Sequence, residues 1–478
     1  MNLKSYDKKS MLPIFITGII LLANLAFKLF IIHGKSLYGD EPFTLYFSQQ
    51  PFLNIIDRLV NDSNPFLHPF LLHTWIKIFG VTAFSGKLLS AILSSLTAAL
   101  LFKLFYKRFG LLMPLIASVL FTLSEINLFY AQEIRAFALV GVLTTVSIYL
   151  FFEIIYSPKK KHIILLGVVN LSLVMSHYAA FLLPVVESIG ILFFIRSHKK
   201  SVLYFIYSQS IALLLFAPWF IYSVMNNIPQ AGKSWIPVPK LINLKYLILK
   251  LTTSRLLITY IVLLIASSSV LFIKRTTETS FRKTYLLFIL FFWVPILLNY
   301  AISQSAPIML SRYLLFTTIP FYLSIGYFIS QIAKIQHIRL TISIIVILIA
   351  SYKIKLPKTP DNWIGKLDRI KKERSDNSIV FINAWWQYRP FAYYYDYQSF
   401  IDFNNTLHIL KNQNIHAVSS ITQIEKILEN KKYDKIFLVK NQGIKSDEIV
   451  AHLKNKGYQV SWKNTTKTPF VFALEYKH

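Results

Sequence analysis

Long apolar runs alternate with short polar connections over the first 350 residues of the chain. The first run, residues 11–32, has 22 residues, which is long enough to cross a bilayer as a helix and too long for the core of a signal peptide. Comparable runs follow, and together they predict about eleven transmembrane helices. The expected positions are 11–32, 86–106, 111–130, 136–156, 163–178, 179–195, 202–224, 256–273, 285–301, 313–330 and 339–352.

The pattern changes after residue 352, where charged residues become frequent. Three short apolar runs are typical of strands, namely Ser378–Ile382, Lys435–Val439 and Phe470–Leu474. Two segments have helical spacing, namely Thr422–Asn430 and Asp447–Lys456. We therefore expect an all-α polytopic membrane protein with a small C-terminal α/β domain. The predicted domains are a transmembrane domain at 1–352, whose first extracytoplasmic loop is 33–85, and an extracytoplasmic domain at 353–478.

The composition supports this organisation, and the distribution of charge indicates which loops face the cytoplasm. The chain is 54% hydrophobic, with 51 Lys and Arg against 22 Asp and Glu. The basic residues concentrate in alternate loops, including Lys159–Lys161 and Arg196–Lys200, which the positive-inside rule assigns to the cytoplasm. Two short spans must then lie between these loops and turn near His177. The N-terminus is expected in the cytoplasm and the tail outside, in a multi-pass protein of the cell membrane.

The same distribution argues against two other functions. Because the positive charge is scattered over separate loops, nucleic acid is not an expected partner. The chain has no cysteine, so neither disulfides nor thiol chemistry contribute.

Adjacent carboxylates, Asp40 and Glu41, follow the first span and precede Pro42. A carboxylate at a membrane surface can act as a general base or hold a cation. The alternative is that the pair caps a helix entering at Pro42, since Asp before Pro is a common start signal. The sequence leaves both possibilities open.

Other polar residues are expected at the outer ends of the predicted spans. Each could bind an anionic substrate, or could instead be an interfacial anchor or part of a local ion pair. These candidates are His68, Glu133, Arg135, His177, Tyr178, Lys233, Arg255 and Arg312. Glu187 differs because it lies in the middle of a span, where a charged carboxylate costs about 2.5 to 3.5 kcal/mol; it must be protonated, paired or lining a cavity.

Motifs of soluble enzymes do not fit. Gly232-Lys233-Ser234 lacks the first glycine of a phosphate-binding loop, because position 227 is Asn. His68 and His73 are five residues apart, which does not place them on one helix face as a metal pair requires. No cofactor is therefore assigned; a divalent metal is possible, with unknown ligands.

Three elements of the chain together resemble a known family. They are Asp40-Glu41, the segment from His68-Pro69 through Leu72-His73-Thr74-Trp75, and Tyr130-Ala131-Gln132-Glu133-Ile134-Arg135-Ala136-Phe137. They look like the polytopic GT-C glycosyltransferases of family 39 type, which include protein O-mannosyltransferases and aminoarabinose transferases. Ser311-Arg312-Tyr313 and Asp361-Asn362-Trp363 extend the resemblance weakly. The chain departs from the family pattern at Phe70, where a second proline is usual, and at Ile364, where Arg is usual.

The resemblance implies an inverting glycosyltransferase that moves a sugar from a polyprenyl-phosphate donor to a lipid, glycan or protein acceptor outside the membrane. Asp40 would be the catalytic base or a carboxylate that orients the acceptor, Glu41 would be its neighbour in the same cavity, and Glu133 and Arg135 would line the site. Independently, a phosphate leaving group needs fixed positive charge, which Arg135, Lys233, Arg255 and Arg312 could supply.

Two other functions compete with this one. A transporter or flippase of a lipid-linked or anionic substrate would place its charges near the bilayer midplane. A structural or assembly protein would tolerate replacement of Asp40. We favour the enzyme because the candidate charges lie at helix ends.

Overall fold

The computed structural model describes residues 3–60, 64–226, 235–273, 279–332, 335–358, 363–429, 431–440, 446–466 and 469–477. It divides into two compact units. The membrane unit contains residues up to His33, Phe52–Leu71 and Lys87–Pro357. The sheet unit contains Gly34–Pro51, Leu72–Gly86 and Lys358–His478. The predicted division at residue 352 stays a prediction, and the unit that holds the tail also includes two early segments.

Helices make up most of the described chain. Those before residue 357 are α1 (Leu3–Ile32), α2 (Glu41–Phe47), α3 (Phe52–Val60), α4 (Leu67–Phe79), α5 (Ala83–Phe109), α6 (Leu112–Leu123), α7 (Glu125–Tyr130), α8 (Phe137–Tyr156), α9 (Lys160–Ser176), α10 (Leu182–Ile191), α11 (Lys199–Asn226), α12 (Leu241–Thr252), α13 (Ser254–Ile273), α14 (Thr279–Ile302), α15 (Thr318–Ile332) and α16 (Gln336–Ser351). Short 3₁₀ helices cover Tyr178–Phe181, Leu192–Phe194 and Ser311–Thr317.

Every predicted span coincides with helical structure, which confirms the polytopic helical class. Among the described residues, six helices are long and apolar enough to cross a membrane. A seventh candidate is the pair α12 and α13, which meet at an angle of 88°. The expected total of about eleven spans therefore stays a prediction.

Three predicted spans, 111–130, 179–195 and 313–330, are not continuous α-helices. The run 111–130 divides into α6 and α7 at Ser124, whose side chain accepts a hydrogen bond from the Asn127 amide and so begins a new helix.

Aromatic side chains dominate the core of the membrane unit. Phe105, Phe151, Phe288 and Phe291 are fully or almost fully buried there. Helices α6 and α15 approach closely at Gly326, where a Cβ atom would lie 2.5 Å from the Met113 carbonyl oxygen. Only glycine allows this contact. The helices that carry the polar residues discussed below are thus held in a dense, rigid packing.

The sheet unit is α/β, which confirms the predicted class of the tail. Its strands are β1 (Ser378–Asn383), β2 (Ile415–Val418), β3 (Lys435–Lys440), β4 (Tyr458–Asn464) and β5 (Phe470–Tyr476), in the order β2-β1-β3-β5-β4. β1 is parallel to β2 and β3, and the other pairs are antiparallel. The helices are α17 (Ile364–Glu373), α18 (Tyr388–Tyr395), α19 (Tyr397–Ile401), α20 (Thr406–Asn412), α21 (Ile421–Glu429) and α22 (Ser446–Asn455).

The two early segments are fastened to this unit by hydrogen bonds. Tyr46 Oη lies 2.6 Å from the Phe403 carbonyl oxygen and 3.0 Å from Thr406 Oγ1. The Ala83 amide donates to Tyr393 Oη over 2.7 Å. The sheet unit is consequently assembled from three separate stretches of sequence.

Candidate functional site

The acidic pair lies at the start of α2 in the sheet unit. Gly39 precedes it with φ of +55°, a conformation that favours glycine. Asp40 is exposed and takes the N-cap position, but its side chain makes no capping hydrogen bond. Glu41 is 1% exposed, and its Oε2 accepts a hydrogen bond from the Tyr38 amide over 2.6 Å. In this geometry Glu41 stabilises the turn before the helix. The predicted catalytic role of Asp40 stays a prediction.

A buried arginine of the same unit, Arg389, contacts α2. The guanidinium carbon of Arg389 lies 5.1 Å from the ring centre of Phe43 and 5.0 Å from that of Phe47, both on α2. Tyr388 and Trp385 contribute further ring faces, at 4.8 and 5.6 Å. These cation–π contacts fix the helix that begins with the acidic pair.

His68 and His73 lie on α4 in contrasting surroundings. His73 belongs to the sheet unit, and its Nδ1 lies 2.8 Å from the Ser48 carbonyl oxygen. His68 belongs to the membrane unit and is 2% exposed. Its Nε2 makes no hydrogen bond within the described part of the chain. Burial, with a contribution from the positive charge of Arg135, lowers the pKa of His68 to about 3, so the imidazole is neutral near pH 7.

Glu133 and Arg135 lie in the turn between α7 and α8. This turn directly precedes α8, which corresponds to the predicted span 136–156. Two side chains of α5 hold this turn. Buried Lys87 donates from Nζ to the Gln132 carbonyl oxygen over 3.1 Å, and Ser90 donates to that of Glu133 over 2.6 Å. Arg135 is partly exposed beside this fixed backbone.

His177 and Tyr178 lie where α9 ends and a 3₁₀ helix begins. The Ala179 amide donates to His177 Nδ1 over 3.2 Å, which leaves the proton of the neutral ring on Nε2. Burial, with contributions from the positive charges of Arg135 and Arg312, lowers the pKa of His177 to about 3. The His177 ring also lies 4.6 Å from the ring of Tyr313.

Arg312 extends the same region. Its guanidinium carbon lies 5.6 Å from the ring centre of Tyr313 and 5.8 Å from that of Trp235. The structure thus brings together four predicted site residues that are far apart in sequence. We call His68, Arg135, His177 and Arg312 the arginine–histidine cluster.

Two of the remaining candidates are not placed in this cluster. Arg255 lies at the start of α13 with its guanidinium carbon 5.1 Å from the ring centre of Tyr352. Lys233 lies outside the described residues, as do Asp361 and Asn362. Their predicted roles stay predictions.

An apolar cavity of about 500 Å³ lies beside Tyr178 in the membrane unit. α9, α10 and α11 form its walls with side chains that include Leu171, Val185 and Phe216. Trp219 also lines it and donates from Nε1 to Tyr178 Oη over 2.9 Å. Tyr178, which lines the cavity, directly follows the cluster residue His177 in sequence.

The described residues do not form an evident metal-binding site. Within the ranges that the structure describes, no three His, Asp or Glu side chains come together in a way that could hold a metal ion. The possibility of a divalent metal stays a prediction.

Sequence reasoning missed Lys87 and Arg389. Both are buried cations that orient a predicted site segment without belonging to a motif. The only signal for Lys87 was a lysine at the start of the predicted span 86–106, which also fits an interfacial anchor.

In sequence, the chain matches no protein-family model and no curated protein. Solved structures are similar in fold. ArnT from Cupriavidus metallidurans superimposes with a TM-score of 0.63 and 10% identity, over 98% of each chain, both in the apo state and bound to undecaprenyl phosphate.

Two further structures are less similar. The mycobacterial arabinofuranosyltransferase AftD gives a TM-score of 0.52 at 11% identity, over 96% of this chain and 40% of AftD. The Archaeoglobus fulgidus oligosaccharyltransferase, solved with Zn and sulfate, gives 0.51 at 9% identity, over 95% of this chain and 72% of that one. The chain therefore has the GT-C fold of membrane glycosyltransferases, as the resemblance implied.

Proposed function

We propose that this protein is a membrane glycosyltransferase that takes its sugar from a polyprenyl-phosphate donor. The observation that carries the proposal is the arginine–histidine cluster in a chain with the fold of ArnT, which has been solved with undecaprenyl phosphate. The cluster would hold the donor phosphate.

Electrostatics support an anion at this position. Arg135 and Arg312 both act on the imidazole of His177, so two like charges converge on one buried ring. A bound anion would interact favourably with both positive charges. A phosphate bridging the two guanidinium groups would receive charge-assisted hydrogen bonds, and neutral His177 could add a donor through Nε2.

The neighbouring cavity supports a lipid carrier. Its lining is predominantly apolar, and it lies in the membrane unit next to Tyr178. A donor with a hydrocarbon tail would place that tail among apolar side chains while its phosphate meets the arginines. A nucleotide sugar has no hydrocarbon tail that could bind in such a cavity.

Transfer requires a base as well as a stabilised leaving group. The acceptor oxygen or nitrogen attacks the anomeric carbon, the bond from that carbon to the phosphate oxygen breaks, and polyprenyl phosphate departs. The proton of the acceptor must pass to a base. We assign this role to Asp40, whose carboxylate is exposed and does not cap its helix.

Donor binding can be tested without knowing the sugar or the acceptor. Undecaprenyl phosphate should raise the melting temperature of the purified protein, because a ligand that binds only the folded state stabilises it. The neutral alcohol undecaprenol, which has the same tail, should raise it much less. Equal shifts would contradict a phosphate site, and a donor assay in which only nucleotide sugars react would contradict the proposal.

The base assignment predicts a large kinetic effect for Asp40→Asn. The amide keeps the size of the side chain but cannot accept a proton, so transfer should fall by about 100-fold or more. Turnover of polyprenyl-phosphate sugar in the presence of an envelope extract measures this. Asp57→Asn, which changes an exposed carboxylate on α3, is the matched control. Retained activity in Asp40→Asn would place the base elsewhere.

The predicted orientation of the chain in the membrane is based on the charge of its loops, and cysteine labelling can test it. Single cysteines at Lys35, Ser305 and Lys372 should react with an impermeant thiol reagent added outside intact cells, while one at Lys160 should not. Because the chain has no native cysteine, the background is low. Labelling at Lys160 without labelling at Lys372 would invert the topology.

A further inference from the structure

The membrane unit contains a second cluster of buried polar side chains, formed by residues of three consecutive α-helices. Ser147 lies on α8, Asn170 on α9 and Glu187 on α10, and all three are 1% exposed or less. Ser147 Oγ lies 2.6 Å from Glu187 Oε1 and 2.6 Å from Asn170 Oδ1. Asn170 Nδ2 donates to Glu187 Oε2 over 2.7 Å. We call these three residues the carboxyl ring.

Counting protons in the ring determines the state of Glu187. Three contacts of hydrogen-bond length require three donated protons. The Ser147 hydroxyl supplies one, and the Asn170 amide supplies one through its NH₂ side, since its other side is an acceptor. An ionised carboxylate has none to give, so the third proton must be on Glu187.

The count does not depend on how the Asn170 amide is oriented. If its oxygen and nitrogen are exchanged, the nitrogen donates to Ser147, Ser147 donates to Glu187, and the carboxyl must donate to the amide oxygen. One proton on Glu187 is required in both orientations. The side chains that bond the carboxyl in the described structure are neutral, and a protonated Glu187 avoids the cost of a charge within the membrane.

The ring joins the helices whose outer ends carry the arginine–histidine cluster. Ser147 is ten residues into α8, and Arg135 lies in the turn just before that helix. Asn170 precedes His177, which caps the end of α9. At 1.5 Å per residue the ring lies roughly 10 to 20 Å along these helices from the cluster residues. A fixed ring therefore limits sliding and rotation of one helix against the other.

We propose that Glu187 is a positioning residue, held as a neutral carboxylic acid, which sets the relative placement of Arg135 and His177 for the donor phosphate. The placement part rests on the proposed function. The protonation part rests on the ring alone.

Infrared spectroscopy tests the protonation directly. In a detergent without ester groups at neutral pH, the difference spectrum between the unmodified protein and Glu187→Gln should contain the carbonyl stretch of a protonated carboxylic acid, which lies above the amide I band. If the band lost is that of an ionised carboxylate, the proposal is wrong, whatever the substrate of the enzyme.

Two substitutions test the positioning role. Glu187→Gln presents an NH₂ donor and an oxygen acceptor like a neutral carboxyl, so the melting temperature and the KM for donor should stay close to those of the unmodified protein. Glu187→Asp keeps the acid but shortens the side chain, so the ring cannot close; the KM for donor should rise by about 2- to 30-fold, with a smaller change in kcat. Ser188→Ala, which removes an exposed hydroxyl bonded within α10, is the control.

The outcomes separate the two proposals. Loss of activity in a folded Glu187→Gln protein would mean that the carboxyl works through its charge or its proton, which overturns the positioning role. An unchanged KM in Glu187→Asp would overturn it as well. If the unmodified protein binds no polyprenyl phosphate, the proposed function fails, while the infrared spectrum and the stability of Glu187→Gln still decide the state of the ring.

Discussion

The carboxyl ring and the arginine–histidine cluster are both buried or partly buried groups of polar side chains in the membrane unit. They differ in how completely their polar atoms are hydrogen-bonded. In the ring, the proposed proton on Glu187 gives every contact a donor and an acceptor. In the cluster, His68 Nε2 has no hydrogen-bond partner in the described structure, and two arginines act on one neutral histidine. Polar groups that serve structure are normally satisfied by other protein groups. The unpartnered Nε2 of His68 is an exception to this pattern, and it is consistent with the proposed donor site.

The sharpest way to break this comparison is to neutralise the arginines. Arg135→Gln and Arg312→Gln should each raise the KM for donor by about 10- to 100-fold, since a hydrogen bond to a charged group contributes about 1.5 to 3 kcal/mol. The maximal rate should change less if the phosphate is held equally in the ground and transition states. Kinetics with polyprenyl-phosphate sugar measure both values.

Exposed Arg58 on α3 provides the matched control, because Arg58→Gln removes the same charge elsewhere on the membrane unit. If all three variants bind donor with the same KM, the cluster is not the phosphate site, and the contrast with the ring loses its functional meaning.

A pair of histidine substitutions on α4 sharpens the comparison at the level of stability. His73→Leu removes the partner of the Ser48 carbonyl oxygen and should lower the free energy of unfolding by about 1 to 3 kcal/mol. His68→Leu removes an atom that has no partner in the described structure, so stability should stay the same or rise by up to about 1 kcal/mol, while donor binding weakens. Thermal unfolding in one detergent compares the two. Equal losses of stability would show that His68 is structurally satisfied.

The last prediction concerns pH. The pKa of His68 and of His177 is lowered from 6.5 to about 3, so between these values the unfolded chain binds more protons than the folded protein. Stability contributed by the neutral rings is complete above pH 6.5 and falls as pH decreases, by about 1.4 kcal/mol per pH unit for each ring. His68→Leu should reduce the slope of unfolding free energy between pH 6.5 and 5 by about one proton. An unchanged slope would mean that His68 is protonated in the folded state.

Much of the fold follows from sequence pattern. Uninterrupted apolar runs predicted helices at all eleven positions, and three strands of the tail were predicted from short apolar runs such as Lys435–Val439. β2 was missed because it has only four residues, and its His416 interrupts the apolar pattern. β4 was missed although Tyr458, Val460 and Trp462 alternate with polar residues, which is the pattern of a half-exposed edge strand.

The site was predictable in its parts but not in its arrangement. Arg135, His177 and Arg312 were candidates because each stands at the end of an apolar run. Nothing local shows that positions more than a hundred residues apart act on one imidazole, since this depends on helix packing. The proton on Glu187 was one of three possibilities in sequence, and only the positions of Ser147 and Asn170 decide between them.

The discontinuous sheet unit has a consequence for how the protein is made. Tyr46 bonds to residues 357 and 360 positions further along the chain, and Leu37 donates to Tyr394. During synthesis these early segments therefore emerge long before their partners exist, and they must wait until the tail has been delivered to the same side of the membrane. Truncation before Tyr394 would leave the loop that carries Asp40 without these anchors, so completion of the last 85 residues acts as a maturation step for a segment near the beginning of the chain.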